Sequence, residues 1–199
     1  MSIYLLKSRF QDLLRPLVHR LHARGITANQ VTVAACAISV ALGVLLSAAA
    51  QVSWLFVLLP LWLFVRMALN AIDGMLAREF GQQSALGGYL NETTDVIADA
   101  ALYLPFAFVA PFGGLQIGLL IWLAALSELC GVLGQVHGKS RRYDGPAGKS
   151  DRALVFGGLG LWYAQAGSLP PWLEWVMWLV VVLIACTAVR RVRRGLQAA

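Results

Sequence analysis

Apolar residues in this chain come in long blocks, and the breaks between the blocks are of two kinds. A membrane-crossing helix needs about 20 mostly apolar residues. The pattern predicts six such spans, over 31–50, 53–77, 87–110, 114–136, 153–166 and 172–189, the fifth being short. One kind of break is basic. Lys7, Arg9, Arg15, Arg20 and Arg24 precede the first span, Arg78 follows the second, Lys139, Arg141, Arg142, Lys149 and Arg152 lie between the fourth and fifth, and Arg190, Arg191, Arg193 and Arg194 follow the sixth. The breaks near 50–53, 111–114 and 167–171 hold no Lys or Arg. Six spans put every basic break on one side, which the positive-inside rule makes the cytoplasm. An odd number would not. The expected fold class is all-α integral membrane, six transmembrane helices with both termini cytoplasmic.

Ahead of the first span, Ile3, Leu6, Phe10, Leu13, Leu14, Leu17 and Leu21 recur at helical spacing with basic residues interleaved. That pattern predicts an N-terminal amphipathic helix lying on the membrane interface. Gly25 ends it, and either Thr27 or Asn29 caps the next helix. The chain reads as one domain, 1–199: a surface helix (1–24), a six-span bundle (31–189) and a basic tail (190–199).

Composition agrees. The chain is 59% hydrophobic and 13% charged, whereas soluble domains are about a quarter charged. The net charge of +6 does not indicate nucleic acid, because the basic residues adjoin apolar blocks and face anionic lipid headgroups. Cys36, Cys130 and Cys186 sit far apart in apolar segments, with neither metal-ligand spacing nor a disulfide framework.

Polar residues inside the spans change the picture most. They gather where the second span ends and the third begins: Arg66, Asn70, Asp73, Gly74, Ala77, Arg78, Gly87, Asn91, Glu92, Asp95 and Asp99. At about 100° per residue, Arg66, Asn70, Asp73 and Ala77 share an arc of roughly 60° on one helix, and Asn91, Glu92, Asp95 and Asp99 an arc of roughly 100° on the next. Ionisable groups in a span cost on the order of 2.5–3.5 kcal/mol each, so they are paired or line a site. A set of hard oxygens suits Mg²⁺ or Mn²⁺. The competing reading is a polar network that only joins two helices.

The stretch Asn70-Ala-Ile-Asp73-Gly74-Met-Leu-Ala77-Arg78, then Gly87, Asn91 and Asp95, resembles the signature of the CDP-alcohol phosphatidyltransferase family. That signature is Asp-x-x-Asp-Gly-x-x-Ala-Arg, a spacer, then Gly-x-x-x-Asp-x-x-x-Asp. Every spacing agrees, but asparagine replaces the first and third aspartates, as in an asparagine-bearing bacterial inner-membrane subgroup. The segment 25–32 also resembles the family's entry to its first span.

The resemblance implies a phosphatidyl transfer from CDP-diacylglycerol to a hydroxyl acceptor, with release of CMP, in phospholipid synthesis. It implies one or two divalent cations, Mg²⁺ or Mn²⁺, as cofactor, Asp73 as metal ligand, and Asn70 and Asn91 in ligand positions, where the loss of two carboxylates disfavours a second cation. Asp95 stands at the position of the general base and of the last metal ligand. Gly74, Ala77, Arg78 and Gly87 lie beside the nucleotide. Glu92 and Asp99, on the arc of Asp95, are expected to compensate for the lost carboxylates as further metal ligands. The resemblance also implies a homodimer in the bacterial inner membrane.

The loop 137–152 is the second polar region. Gly148-Lys149-Ser150 lacks the earlier glycine and the strand of a phosphate-binding P-loop. Lys149 and Arg152, then Arg141 and Arg142, are expected to hold an acceptor phosphate, against the plainer reading of a positive-inside loop. Arg66 is left with Asp73, Asp99 or a lipid phosphate as partner, and Glu128 with Gln135 or Ser127. Two other functions compete: a non-catalytic CDP-lipid-binding scaffold, and a small transporter, which the lack of inverted repeats disfavours.

Overall fold

The computed structural model describes residues 3–137 and 140–198, with the side chains of 3–8 and 198 left out. Lys139 therefore lies outside the described residues, as do the side chains of Ile3, Leu6 and Lys7. The described residues are helical without a strand: α1 (Ile3–Ala23), α2 (Ala28–Ala48), α3 (Leu58–Glu79), α4 (Ala85–Tyr103), α5 (Gly114–His137), α6 (Lys149–Ala166) and α7 (Leu173–Ala198). Two 3₁₀ turns, Ser53–Val57 and Leu104–Phe108, precede α3 and follow α4.

Local chemistry sets the helix ends. Gly25 adopts φ +73°, and the amides of Gly25 and Ile26 donate back to His22 and Leu21, closing α1 as a left-handed C-terminal residue does. Thr27, not Asn29, caps α2. Its hydroxyl accepts from the Gln30 amide at 3.3 Å, and Gln30 Oε1 accepts from the Thr27 amide at 3.0 Å, a reciprocal capping box. The predicted block 87–110 is helical only to Tyr103, because Pro105 has no N–H to continue the ladder. Asp151 Oδ2 accepts from the Gly148 amide at 2.9 Å, so α6 starts at Lys149, ahead of the predicted 153. α7 does not stop at Val189 but runs on through the basic residues.

Among the described residues, four stretches are long and apolar enough to cross a membrane: Ala28–Ala48, Ser53–Glu79, Gly114–His137 and Leu173–Gln197. α4 is interrupted by Asn91, Glu92, Asp95 and Asp99, and α6 opens on Lys149, Asp151 and Arg152.

The helices divide between two compact units. One is the chain up to Val40 together with Leu61–Ala98. Its core joins Val18 of α1, Ala28 and Val31 of α2, and Ile72, Met75 and Leu76 of α3. Arg15 of α1 also reaches Glu79 of α3 at 2.8 Å. The other unit is Ala41–Pro60 with Asp99 onward. Phe56, Phe106, Phe156 and Tyr163 form its aromatic centre, and the Tyr163 hydroxyl donates to the Ala50 carbonyl at 3.0 Å. α5 and α7 pack against each other in this unit.

Candidate active site

Within the first unit, Asn70, Asp73, Gly74, Ala77 and Arg78 of α3 and Gly87 and Asn91 of α4 line one cavity of about 480 Å³. Asn29 and Thr32 of α2 and Gln82, Gln83 and Ser84 of the α3–α4 connection complete its wall. The size lies in the range of small-molecule sites. The spacing explains the convergence: residues three and four apart share one helix face, and the signature places its polar and small residues at those steps.

Asp73 is 7% exposed. The Thr32 hydroxyl lies 2.9 Å from its Oδ2 and 3.1 Å from the Ala28 carbonyl. One hydroxyl hydrogen serves one acceptor at a time, and the bond to a carboxylate is the stronger. Thr32 therefore fixes the Asp73 carboxylate. The guanidinium of Arg78 folds across Gly74, where a Cβ would stand 2.9 Å from Nη2. A Cβ on Gly87 would meet Asn29 Oδ1 at 2.9 Å, so the small residue lets α4 begin against α2.

Asp95 does not line this cavity. Its Oδ1 and its carbonyl oxygen accept from Arg66 Nη2 at 3.0 and 3.2 Å. Asp95 is thus a partner of Arg66 outside the alternatives the sequence left open. Glu92 is half-buried. Among the described residues, no three His, Cys, Asp or Glu side chains group as a metal site. A cation in the cavity would draw on the Asp73 carboxylate and the amide oxygens of Asn70 and Asn91. That all-oxygen set fits a hard divalent ion.

The second unit gathers charge around Glu128 of α5. Its carboxylate takes Arg152 at 2.9 Å, Arg141 at 3.1 Å and Arg191 at 3.1 Å. Arg152, 1% exposed, also reaches Asp99 Oδ2 at 3.4 Å and donates to the Ala147 carbonyl at 3.2 Å. Glu128 is therefore held by three arginines rather than by Gln135 or Ser127. Ser127 belongs to the same network, its hydroxyl 3.5 Å from Arg152 and its carbonyl accepting from Arg191 at 2.6 Å. Arg142 pairs with Asp144 at 2.9 Å, and its amide donates to the Gly131 carbonyl at 3.0 Å. A Cβ at Gly131 would run into the Arg142 carbonyl, so this glycine admits the returning loop. Lys149 is the first residue of α6. Of the four residues expected at an acceptor phosphate, Arg141 and Arg152 share Glu128, while Arg142 and Lys149 lie elsewhere. A separate basic cleft of about 590 Å³ is lined by Asp144, Gly145, Arg190, Arg193, Arg194 and Gln197.

Sequence reading missed Thr32 as a support for Asp73, and Arg191 as a buried residue. The signal for Arg191 was available: it falls four residues after Thr187 and seven after Ile184, on the buried stripe of α7. The basic cluster around it masked that.

A family model described as CDP-alcohol phosphatidyltransferase matches residues 25–186. This chain belongs to the CDP-alcohol phosphatidyltransferase family. The family comprises membrane transferases of phospholipid synthesis that depend on a divalent metal. This member is 50% identical to the inner membrane protein YnbA of Escherichia coli over 88% of the chain and 85% of that protein. It is 28% identical to the phosphatidylinositol phosphate synthase of Mycobacteroides abscessus over 73% of the chain and 66% of that enzyme. Its fold matches crystal structures of the Mycobacterium tuberculosis phosphatidylinositol phosphate synthase. The match to the complex with manganese and citrate has a TM-score of 0.74 at 21% identity, covering 92% of this chain and 88% of that one. The match to the CDP-DAG complex also has a TM-score of 0.74, at 22% identity, covering 90% of this chain and 92% of that one.

Proposed function

We propose that this family member transfers a phosphatidyl group from CDP-diacylglycerol to a hydroxyl acceptor and releases CMP. The observation that carries the reading is the convergence of Asn70, Asp73, Gly74, Ala77, Arg78, Gly87 and Asn91 on one cavity. These are the signature positions other than Asp95; spacing alone puts those of α3 on one face, and the packing of α4 against it brings in Gly87 and Asn91. Asp73, with the Asn70 and Asn91 amide oxygens, would hold Mg²⁺ or Mn²⁺, which would supply positive charge to offset that on the leaving phosphate. Arg78 and the small residues Gly74, Ala77 and Gly87 receive the nucleotide.

Asp95 takes the proton of the acceptor hydroxyl. The acceptor oxygen forms a bond to the lipid-side phosphorus. The bond from that phosphorus to the bridging oxygen breaks, and the bridging oxygen leaves with CMP and the electron pair.

The charge pattern supports the wider reading. The basic breaks in the sequence favour six spans, α4 and α6 included, with α1 on the inner-membrane surface and both termini cytoplasmic. The known tendency implied by the family resemblance favours a homodimer. The pairing of Asp95 with Arg66 gives some weight to a second reading, a protein that binds CDP-lipid without turnover.

One experiment separates the two. The chain is purified in detergent and given CDP-diacylglycerol, Mg²⁺ or Mn²⁺ and a panel of alcohols, and CMP release is measured beside Asp95→Asn. Release that needs the cation and one alcohol supports the transferase. CDP-lipid binding without release under any alcohol supports the second reading. Neither binding nor release would sink both.

A further inference from the structure

Arg66 is 4% exposed in α3, in a stretch apolar enough to cross a membrane. A buried guanidinium is permanently charged and costs several kcal/mol unless paired. It donates to the Oδ1 and the carbonyl oxygen of Asp95. Asp95 is also the last signature carboxylate.

The charges around this pair depart from the four-aspartate signature in a coordinated way. Residue 70 lies one helical turn after Arg66. A carboxylate there would compete for the same guanidinium, because side chains at i and i+4 are neighbours. Asparagine at 70 carries no charge to compete with Asp95 for Arg66. Asparagine at 91 removes a second negative charge. Two of the four signature carboxylates remain, Asp73 and Asp95, and one of the two already faces a fixed cation. Two divalent ions would bring four positive charges to two carboxylates and Arg66. One divalent ion leaves these groups with about one net positive charge and two leave about three, and like charges at close range repel. The donor sets agree: Asp73, Asn70 and Asn91 face one cavity, while Asp95 is outside its lining.

We propose that Arg66 takes the place of a second divalent cation, with its guanidinium supplying positive charge at Asp95, and that the cavity holds a single Mg²⁺ or Mn²⁺ on Asp73. The inference rests on the reading of the cavity as a cation and CDP-lipid site. It makes Arg66 a positioning residue for Asp95 and a determinant of metal count.

The test is the number of Mn²⁺ ions bound per purified chain, followed by the electron paramagnetic resonance signal of free Mn²⁺. The unaltered chain is expected to bind a single ion. Arg66→Gln is expected to bind a second ion, or to bind the first on the order of tenfold more tightly, since a positive charge at close range has been removed. Arg66→Lys keeps the charge and is expected to behave as the unaltered chain. Two ions on the unaltered chain would overturn the inference and leave the transferase reading intact, and this count needs no variant. An Arg66→Gln chain with the same count and the same affinity would overturn it too. No Mn²⁺ on the unaltered chain at millimolar concentration would overturn the cation site itself.

Discussion

The carboxylate of Glu128 lies 2.9 Å from the guanidinium of Arg152, and both are buried. Arg141 and Arg191 close on the same carboxylate. Removing one partner of a buried pair leaves uncompensated charge and costs about 3–5 kcal/mol. Glu128→Ala is therefore expected to lower the thermal midpoint in detergent by about 6 °C or more. Glu128→Gln keeps one acceptor oxygen for the arginines and should fall between. A midpoint unchanged by Glu128→Ala would show that the three arginines find other partners.

The same network separates Arg152 from Lys149 in function. Arg152 has Glu128, Asp99 and the Ala147 carbonyl around it, so Arg152→Ala should behave as a stability variant, with a lowered midpoint. Lys149, the first residue of α6, is the candidate carried forward for an anionic acceptor. Lys149→Ala is expected to raise the acceptor KM severalfold with kcat and the midpoint little changed. Equal KM with and without Lys149 would take this residue out of acceptor binding.

Much of the candidate site was legible because helical spacing and the signature use the same steps. Asn70, Asp73 and Ala77 must share a face of any helix that contains them. Thr27 and Gly25 were legible as helix ends for the same local reason. What sequence could not give were partners distant along the chain. Glu128 meets arginines 13, 24 and 63 residues later, and only the α5–α7 packing brings Arg191 there. Arg66 meets Asp95 across 29 residues. Periodicity assigns a residue to a face, but opposite charges on facing helices allow several pairings. Pro105 likewise broke a block that hydropathy alone read as continuous.

Thr32 and Asp73 give a test of orientation without a change of ligand. The hydroxyl donates to Oδ2 at 2.9 Å. Partners that orient a metal ligand are worth about 10–100-fold in metal affinity or activity. Thr32→Val keeps the shape and removes the hydroxyl, and is expected to weaken Mn²⁺ binding by about tenfold. Thr32→Ser retains the donor and should stay near the unaltered value. Equal Mn²⁺ affinity in all three chains would mean that Asp73 is held by other groups.

Asp73 and Asp95 should fail in different ways, because one lines the cavity and the other is held by Arg66. Asp73→Asn removes the carboxylate from the cavity's donor set. It is expected to lose Mn²⁺ binding and CMP release together, and excess Mn²⁺ should restore part of the rate. Asp95→Asn keeps an oxygen for Arg66 to donate to, so the fold should persist, but an amide cannot take the acceptor's proton. CMP release should then fall by on the order of 10²–10⁴, and added Mn²⁺ should restore none of it. The decisive comparison is rate against Mn²⁺ concentration for the two variants. Rescue of Asp95→Asn by Mn²⁺ would reassign it from base to metal ligand, whereas a normal rate in Asp73→Asn would remove Asp73 from the chemistry.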